Sequence, residues 1–317
     1  MNMDQNDLEY SVVVPVYNEE GNIAKLHQEI LVILSKISTK YEIIYINDSS
    51  KDGTLSVLKS LNNAKIINLQ RNYGQATAFD AGFKASRGEI VISMDGDGQN
   101  DPKDLPLLLN KMKEDNLDVV TGFRKIRQDK NSVKFLTRIG RKLRGLLIND
   151  KVHDSGCSFR VYKAVAVKSL DIGGEMHRYI LALLRWKGFT IGEVVVSDRA
   201  RVYGKSKYNY RKAVRGFIDL VYVWFIHKYS QRPMHLFGYL SIVLLFFGFL
   251  SGLWTLYGKI FLNLSLNRNG WGLVTFFFLI SGIMLFSFGL VIDLLIKLNL
   301  NNSPYEKRYY IREIIEK

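Results

Sequence analysis

The sequence contains a single cysteine, Cys157, in 317 residues. One cysteine cannot form a disulfide within the chain, and this fits a protein that works in a reducing compartment. The N-terminal segment 1–10 is acidic and polar. It lacks the basic start and the apolar stretch of a signal peptide, so we expect the domain that follows to stay in the cytoplasm.

Motifs for binding RNA or DNA are also missing, although the formal net charge is +14. An excess of Lys and Arg without such motifs favours an anionic lipid surface or a phosphorylated small molecule, and we predict no nucleic-acid partner. The basic residues concentrate between Arg124 and Arg232, just before the first long apolar run. Because each juxtamembrane Lys or Arg is attracted to anionic lipid by about 1 kcal/mol, this placement favours a membrane surface.

Two long apolar runs, at about 236–257 and 271–295, distinguish the C-terminal part of the chain. Each run exceeds the roughly 20 residues that a helix needs to cross about 30 Å of hydrocarbon. Both runs are apolar on all sides and are flanked by Trp, Tyr, Lys and Arg, so we predict two transmembrane helices. The alternative is a pair of helices buried in a protein core.

The charges around the runs predict their orientation. Basic residues flank the pair of runs on its outer sides: Lys228, Arg232, Lys297, Lys307 and Arg308. The short connection between the runs holds only Lys259 and Arg268. By the positive-inside rule, both termini then lie in the cytoplasm. Asp293, near the end of the second run, is expected to face protein or the interface, because a carboxylate is costly in lipid.

In the first part of the chain, short β-branched runs alternate with helical patterns. Strands are predicted at 11–16, 41–46, 64–69, 90–94 and 118–121. Helices are predicted over 23–34, from 54 onward, over 74–85 and over 102–113. This alternation is typical of an α/β fold, a mostly parallel sheet with helices on both faces. In such sheets the ligand lies at the carboxyl ends of the strands.

Polar clusters follow these strands, at 17–19, 47–48, 71–72 and 95–97. The central cluster is Asp95 and Asp97, directly after an apolar run. Two carboxylates at a strand end can hold Mg²⁺ or Mn²⁺, which prefer oxygen ligands and the phosphates of a substrate. Gln99 offers another oxygen near the same metal. Two aspartates in a turn are common, so the pair alone is a weak signal.

Several motifs occur in order along the chain: VVPVYNEE at 13–20, NDSSKDGT at 47–54, RNYGQ at 71–75 and DGDGQNDP at 95–102. Later ones are DSGCSFR at 154–160, EMHRY at 175–179 and RVYGKSKY at 201–208. This set resembles the family 2 glycosyltransferases, which have the GT-A fold. Within them it resembles the polyprenyl-phosphate glycosyltransferases, the group of dolichol-phosphate mannose synthases and bacterial undecaprenyl-phosphate sugar transferases. The resemblance covers nearly the whole chain, including the paired C-terminal helices.

The resemblance implies roles for particular residues. Contacts to a nucleotide-sugar are implied for Pro15, Tyr17, Glu19, Asp48, Asp95 and Gly96. Binding of Mg²⁺ or Mn²⁺ is implied for Asp95, Asp97 and Gln99. Contacts to phosphates of donor or acceptor are implied for Arg124, Arg138, Arg201 and Lys207, since basic side chains match phosphate oxygens. The implied catalytic set is Asp97, Asp154 and Arg201, with Asp154 orienting the acceptor, acting as a base or capping a turn.

The implied reaction is an inverting transfer of a sugar from a nucleotide-sugar to a polyprenyl phosphate at the cytoplasmic membrane face. A UDP-sugar and undecaprenyl phosphate are the preferred substrates, and the product would serve glycan or cell-envelope modification. A lipid phosphate has its second pKa near 6, so it is already an anion near neutral pH and needs no strong base for a single displacement. His177 and Cys157 are expected to be structural.

Alternatives stay open. They are a dolichol-phosphate mannose synthase using GDP-mannose, a transferase with another acceptor, a flippase-type transporter, and a non-catalytic scaffold of a membrane glycan complex. One departure from the family is Asn47, where many relatives have Asp. Arg185 and Trp186 are similar to the Q-x-x-R-W motif of processive synthases, but position 182 is Ala, and two spans are too few for a polymer channel.

We predict four segments: a GT-A catalytic domain over 1–210, a juxtamembrane amphipathic helix over 211–233, two transmembrane helices within 234–300 and a cytoplasmic tail over 301–317. Segments 132–148 and 212–229 combine apolar and basic residues at helical spacing, which favours interfacial helices. Ordinary core-facing helices are the alternative for both segments. Association of the helix pairs into a homo-oligomer is left open.

Overall fold

The computed structural model describes residues 8–125, 144–145, 147–148, 152–174, 176–199, 210–229, 232–262, 264, 270–302 and 311–315. The chain divides into two bodies. The sheet body comprises Met1–Val223 and Lys307–Lys317, and the helical body comprises Trp224–Glu306. The predicted boundary at 210 lies at the start of the helix Tyr210–Tyr229, whereas the division between the two bodies falls within that helix, after Val223.

The sheet body is built around one mixed sheet. Its described strands are β1 (Tyr10–Val16), β2 (Tyr41–Asn47), β3 (Lys65–Leu69), β4 (Ile90–Ser93), β5 (Val119–Arg124), β6 (Arg160–Lys163), β7 (Ile191–Val196) and β8 (Ile311–Ile315). Their order across the sheet is β7-β5-β6-β4-β1-β2-β3-β8. The predicted strands correspond to β1 to β5, which have a buried face along most of their lengths.

The four central strands are parallel, as the alternation of strands and helices predicted. β1 pairs in parallel with both β2 and β4, and β2 pairs in parallel with β3. β5 and β7 are also parallel, whereas β6 is antiparallel to β4 and β5. The carboxyl ends of β1 to β4 therefore lie at one edge of the sheet.

Helices cover both faces of the sheet. They are α1 (Glu20–Ile37), α2 (Thr54–Ser60), α3 (Gln75–Ala85), α4 (Leu105–Glu114), α5 (Ala164–Lys168) and α6 (Ile180–Trp186). A further helix, α7 (Tyr210–Tyr229), runs from the end of the sheet body into the helical body. Alternate side chains of β1 enter different cores: Val12 and Val14 pack in the core of α1 and α4, and Val13 packs in the core of α3. The close approach of α3 requires Gly82, because an added Cβ would lie 2.3 Å from Val13 Cγ1.

One strand of the sheet comes from beyond the helical body. β8 pairs antiparallel with β3, with Ile66 opposite Ile315 and Ile67 opposite Ile314. Lys59 Nζ lies 3.2 Å from Glu313 Oε2, which ties β8 to the end of α2. The segment 301–317 is predicted as a cytoplasmic tail, and residues 311–315 of it pair with β3 as the last strand of the sheet.

The helical body holds two long apolar helices, α8 (Pro233–Phe261) and α9 (Trp271–Asn302). Segments Pro233–Phe261 and Trp271–Ile296 have mean hydropathies of 2.1 and 2.4, and both qualify as membrane spans by length and composition. Only 22% and 11% of their most apolar windows are buried. This exposure argues against the alternative of buried core helices and agrees with the two predicted transmembrane helices.

Small residues line the contact between α8 and α9. An added Cβ on Gly248 would lie 2.7 Å from Leu279 Cδ2, and one on Gly282 would lie 2.7 Å from Leu245 Cγ. Hydroxyl groups connect the same two helices, since Thr275 Oγ1 donates to Ser251 Oγ at 3.1 Å. Close packing and interhelical hydrogen bonds are the interactions that hold helices together in lipid.

The two predicted interfacial helices have different outcomes. Residues 212–229 lie in α7, where Leu220 and Val223 are buried while Ile218 and Tyr222 are exposed. The helix is therefore two-sided, as its sequence predicted, and its contact with headgroups stays a prediction. The predicted helix over 132–148 lies outside the described residues except for 144–145 and 147–148, which are helical.

Candidate active site at the carboxyl edge of the sheet

The turns that follow β1 and β2 are locked together by hydrogen bonds. The backbone N–H of Asn18 donates to Ser50 Oγ at 3.0 Å, and Asn18 Oδ1 accepts from the Lys51 N–H at 2.8 Å. The N–H of Glu19 donates to Thr54 Oγ1 at 2.9 Å. Asn18 adopts a φ of 57°, a left-handed conformation that asparagine tolerates better than most residues. These turns form one wall of the edge.

The sequence-predicted residues on this wall differ in how open they are. Pro15 is buried inside β1, while Tyr17 is half-buried at the edge. The Glu19 carboxylate accepts from Asn22 Nδ2 at 2.6 Å. Tyr17 and Glu19 are thus both partly accessible at the edge, and the nucleotide contacts of all three stay predictions.

Asp48, at the end of β2, anchors the loop before α3. Its Oδ1 accepts the N–H of Tyr73 at 2.7 Å, and its Oδ2 accepts the N–H of Gly74 at 2.8 Å. Burial raises the pKa of Asp48, and the two N–H donors oppose that increase. Gly74 has a φ of 93°, a conformation that favours glycine. The family resemblance implies a nucleotide contact for Asp48, which stays a prediction, and the anchoring contact to residues 73 and 74 was not predicted.

The contacts of Asn47 give a physical reason for asparagine at a position where many relatives have aspartate. Its Nδ2 donates to Asn68 Oδ1 at 2.8 Å, and its Oδ1 accepts from Ser50 Oγ at 2.6 Å. An ionised Asp at this position would accept but could not donate to Asn68. The amide at position 47 thus matches the asparagine on the neighbouring strand.

Asp95 and Asp97 follow β4 at the same edge, where the sequence predicted them. Asp95 is half-buried, and its Oδ1 accepts from Gln75 Nε2 at 2.6 Å. The N–H of Asp95 donates to Asn100 Oδ1 at 3.0 Å, and Asp97 Oδ1 accepts the N–H of Gln99 at 3.1 Å. Burial, and next the charge of Asp97, raise the pKa of Asp95. Two like charges are held close together here.

This donor set fits a divalent cation that is shared with a diphosphate. Within the described ranges, no group of three or more His, Cys, Asp or Glu side chains is placed to hold a metal. Mg²⁺ needs no such cage, because it usually binds through one or two carboxylates, water and substrate phosphates. Asp95 and Asp97 supply that pair of carboxylates. A nearby cation would also relieve the repulsion between them.

The room at this edge depends on Gly96, which is buried between Asp95 and Asp97. An added Cβ would lie 2.6 Å from Val16 Cγ1. Any larger residue would therefore push the turn that carries Asp95 and Asp97 away from β1. This contact gives Gly96 a packing role, while its contact with a nucleotide-sugar stays a prediction.

Arg124 and Asp154 form a buried bidentate ion pair. Arg124 Nε donates to Asp154 Oδ2 at 2.8 Å, and Nη2 donates to Oδ1 at 3.2 Å. Asp154 Oδ1 also accepts the N–H of Gly156 at 3.2 Å. The carboxylate therefore caps a turn, which is one of the three roles predicted for it. Arg124 Nη1 lies 4.0 Å from Asp198 Oδ1. The ion pair uses the Nε and Nη2 donors of Arg124. A phosphate contact of Arg124 would have to use the remaining N–H groups, and it stays a prediction.

His177, which is half-buried, and Cys157, which is buried, lack the chemistry of a base or nucleophile. Burial, assisted by the charges of Arg178 and Arg160, lowers the pKa of His177 to about 3, so the imidazole is neutral near pH 7. Burial raises the pKa of the Cys157 thiol to about 11. A thiol with that pKa is a poor nucleophile near neutral pH. Both agree with the structural roles predicted for them.

Three of the predicted phosphate-binding residues, Arg138, Arg201 and Lys207, lie outside the described residues. Two residues that the sequence did not single out, Gln75 and Asn100, contact Asp95 directly. Their positions inside the RNYGQ and DGDGQNDP motifs were the available signal. The motifs located the segments, but only the fold shows which side chains meet.

Comparison with known proteins agrees with this geometry. The profile of the family described as Glycosyl transferase family 2 matches residues 11–171. Dodecaprenyl-phosphate galacturonate synthase of Rhizobium johnstonii is 32% identical over 98% of this chain and 94% of its own length. Undecaprenyl-phosphate 4-deoxy-4-formamido-L-arabinose transferase of Shewanella sediminis is 26% identical over 99% of this chain and 95% of its own length.

Solved structures share the fold at lower identity. Glucosyl-3-phosphoglycerate synthase from Mycobacterium tuberculosis, in complex with Mn²⁺, UDP-glucose and phosphoglyceric acid, superposes with a TM-score of 0.53 at 17% identity. The match covers 70% of this chain and 80% of that chain. Mannosyl-3-phosphoglycerate synthase from Rubrobacter xylanophilus gives a TM-score of 0.56 at 15% identity, over 69% of this chain and 74% of that one. The predicted GT-A fold is confirmed.

Proposed function

This chain belongs to glycosyl transferase family 2, and from this membership we propose that it transfers a sugar from a nucleotide-sugar to a polyprenyl phosphate at a membrane surface. One observation carries the proposal: a single chain combines paired carboxylates at the edge of its sheet with two long apolar helices whose surfaces are exposed. The relatives named as polyprenyl-phosphate transferases support this acceptor, since they align with nearly the whole chain.

The donor side of the reaction uses the edge between β1 and β4. Asp95 and Asp97, with Gln99, would hold Mg²⁺ or Mn²⁺, which supplies positive charge beside a departing diphosphate. Tyr17, Glu19 and Asp48 line the neighbouring turns and are the proposed contacts for base and ribose. A UDP-sugar is the preferred donor and GDP-mannose is the alternative.

The acceptor side needs alignment more than proton transfer. The phosphate oxygen of the lipid attacks the anomeric carbon, and the bond from that carbon to the diphosphate breaks with inversion. Since a phosphate monoester is largely ionised near pH 7, no strong base is required. This suits an edge where the Asp154 carboxylate is paired with Arg124 and His177 is neutral. Catalysis then rests on positioning and on charge stabilisation.

The path of the chain supports the predicted topology. The sheet body includes the chain up to Val223, before α8, and it also includes β8 after α9. If α8 and α9 each cross the bilayer once, the chain returns to the side from which it left. We therefore place the catalytic domain and the segment after α9 on the same face, which the charge pattern assigns to the cytoplasm.

The proposal is tested by incubating the purified protein with undecaprenyl phosphate, MnCl₂ and a panel of radiolabelled UDP- and GDP-sugars. The expected product is radiolabel in a chloroform-soluble, acid-labile lipid. Label that appears only in a lipid-linked saccharide or in protein would reassign the acceptor. A protein that binds no nucleotide-sugar with or without metal would instead favour the scaffold alternative.

Replacement of Asp97 by Asn tests whether the carboxylates of Asp95 and Asp97 bind the metal. Because Asn keeps the shape but removes a charge that holds the cation, we expect Asp97→Asn to lose metal-dependent transfer by at least about 100-fold. Initial rates over a range of MnCl₂ concentrations measure the effect. Asp115→Asn, at an exposed aspartate paired with Lys111, is the matched control and should keep the wild-type rate. Full activity of Asp97→Asn would remove Asp97 from the proposed metal site.

A further inference from the structure

Residues 73–75 connect two acidic side chains on opposite sides of β1. The N–H groups of Tyr73 and Gly74 donate to the two carboxylate oxygens of Asp48, at 2.7 and 2.8 Å. The next residue, Gln75, donates through Nε2 to Asp95 Oδ1 at 2.6 Å. Asp48 follows β2 and Asp95 follows β4, and β1 lies between these strands. The segment 73–75, which we call the edge bridge, thus spans the end of β1.

Asp95 is held at two separate points. Asn100 Oδ1 accepts its backbone N–H at 3.0 Å, and Gln75 holds one of its carboxylate oxygens. The first contact fixes the backbone, and the second restricts rotation of the side chain. Once one oxygen is fixed, the direction of the other is fixed as well. A carboxylate oriented in this way does not have to be ordered when a cation binds.

The type of side chain at position 75 matters as much as its place. Asp95 and Asp97 stand one residue apart in the same turn, so their two carboxylates repel each other. A neutral amide donor stabilises Asp95 without cancelling the negative charge that attracts a cation. A lysine in the same place would supply a donor but would also bring a competing positive charge. Gln75 is exposed at the first turn of α3, where it can meet this oxygen without being part of the core.

We propose that Gln75 is a positioning residue, which orients the Asp95 carboxylate for a divalent cation and a nucleoside diphosphate, and that the edge bridge couples this orientation to Asp48. The inference rests on the proposed function, because it concerns the same donor site. Groups that orient a metal-binding side chain typically change metal affinity by about 10- to 100-fold when they are removed. The loss should appear in binding, before any transfer takes place.

The test replaces Gln75 by Met, which keeps the length of the side chain and removes the donor. Purified full-length protein in detergent is titrated with MnCl₂ in the presence of UDP, and in a parallel series GDP, while the electron paramagnetic resonance signal of free Mn²⁺ is followed. Gln75→Met should weaken Mn²⁺ binding about tenfold. Its thermal unfolding without metal should stay close to wild type, because the side chain is exposed. Gln28→Met, at an exposed glutamine on α1, is the matched control and should change neither quantity.

Gly74→Ala tests the coupling to Asp48 and leaves Asp95 and Asp97 unchanged. An added Cβ meets nothing within 4 Å, but the φ of 93° is strained for alanine, so the bridge should shift. Weaker Mn²⁺ binding by this variant supports the bridge, and unchanged binding overturns the link to Asp48. If Gln75→Met and the wild type bind Mn²⁺ with equal affinity, the proposed role of Gln75 is overturned, while the proposed function of the protein is not. Failure of the wild-type protein to bind Mn²⁺ with either nucleotide overturns the proposed function and this inference with it.

Discussion

The Arg124–Asp154 pair shows how one contact restricts the chemistry of a residue. The sequence left Asp154 with three roles, as an acceptor-orienting group, a base or a cap. In the structure its carboxylate faces a guanidinium through two hydrogen bonds and also receives a backbone N–H. Donors and positive charge of this kind favour the ionised form, which makes a carboxylate a weaker base. We therefore propose an anchoring role for Asp154, with Arg124 as its partner.

Asp154→Asn separates the anchor from the base. Because both side chains are largely buried, with 13% and 5% exposed for Arg124 and Asp154, removing one charge leaves the other uncompensated. Breaking such a pair typically costs about 3–5 kcal/mol, so we expect a clear drop in thermal stability. The apolar double variant Arg124→Leu with Asp154→Leu should recover part of it. A stable Asp154→Asn protein whose kcat falls by about 100-fold or more, with an altered pH profile, would restore the role of base.

At the scale of elements, Asp118 joins three parts of the sheet body. It stands just before β5, it accepts from Lys163 Nζ at the end of β6 at 2.8 Å, and it accepts the N–H of Thr190 before β7 at 2.9 Å. The Lys163 contact first, and then the Thr190 N–H, lower the pKa of Asp118 to about 2 from its ordinary 3.8. One carboxylate therefore fixes how the last strands join the sheet.

The lowered pKa predicts a pH-dependent effect of Asp118→Asn. A carboxylate whose folded pKa is depressed adds stability above its unfolded pKa, and that stability is lost as the pH falls through the folded pKa. The pair is partly exposed, so its contribution is at most about 1 kcal/mol. Asp118→Asn should lower the unfolding temperature by roughly 2–4 °C at pH 7 and by less at pH 3. Asp115→Asn is the control at an exposed pair, and an equal drop at both pH values would contradict the linkage.

The contact between α8 and α9 is tested by Gly248→Leu. At this position an added Cβ already lies 2.7 Å from Leu279 and 3.2 Å from its backbone nitrogen, so a larger side chain must separate the helices. We expect this variant to unfold at a lower temperature in detergent, since overpacking costs about 1–3 kcal/mol. Gly272→Leu, where an added Cβ meets nothing within 4 Å, should be tolerated. Equal stability of the two variants would contradict the packing role of Gly248.

At the scale of the whole molecule, sequence patterns predicted the parts that obey a simple period. The strands β1 to β5 follow from buried β-branched runs, and α8 and α9 follow from long apolar runs. β6, β7 and β8 were not predicted, because each is defined by pairing with strands that lie far away in the sequence. β8 pairs with β3 across the entire helical body. The same limit applies to the site: motifs located Asp48 and Asp95, but the edge bridge depends on the order of the strands.

The membrane topology can be tested by cysteine labelling, because the native cysteine should not react with the label. Cys157 is buried with a raised pKa, so it should not react with a maleimide. In intact cells a membrane-impermeant maleimide should label Lys259→Cys, near the end of α8, and should not label Glu313→Cys in β8. After the cells are permeabilised, both variants should react, since both positions are exposed. Labelling of Glu313→Cys in intact cells would overturn the proposed placement of β8 in the cytoplasm.

The pairing of β8 with β3 also sets an order of events during synthesis. β8 emerges about 240 residues after β3, which at about 5–20 residues per second is a delay of roughly 10 to 50 seconds. Until then the outer edge of β3 offers unpaired backbone groups, a template to which other chains can add. The two apolar helices emerge within that interval. Insertion into the membrane and closure of the sheet are therefore coupled steps of biogenesis, and a delay in the first leaves the nascent catalytic domain open to aggregation.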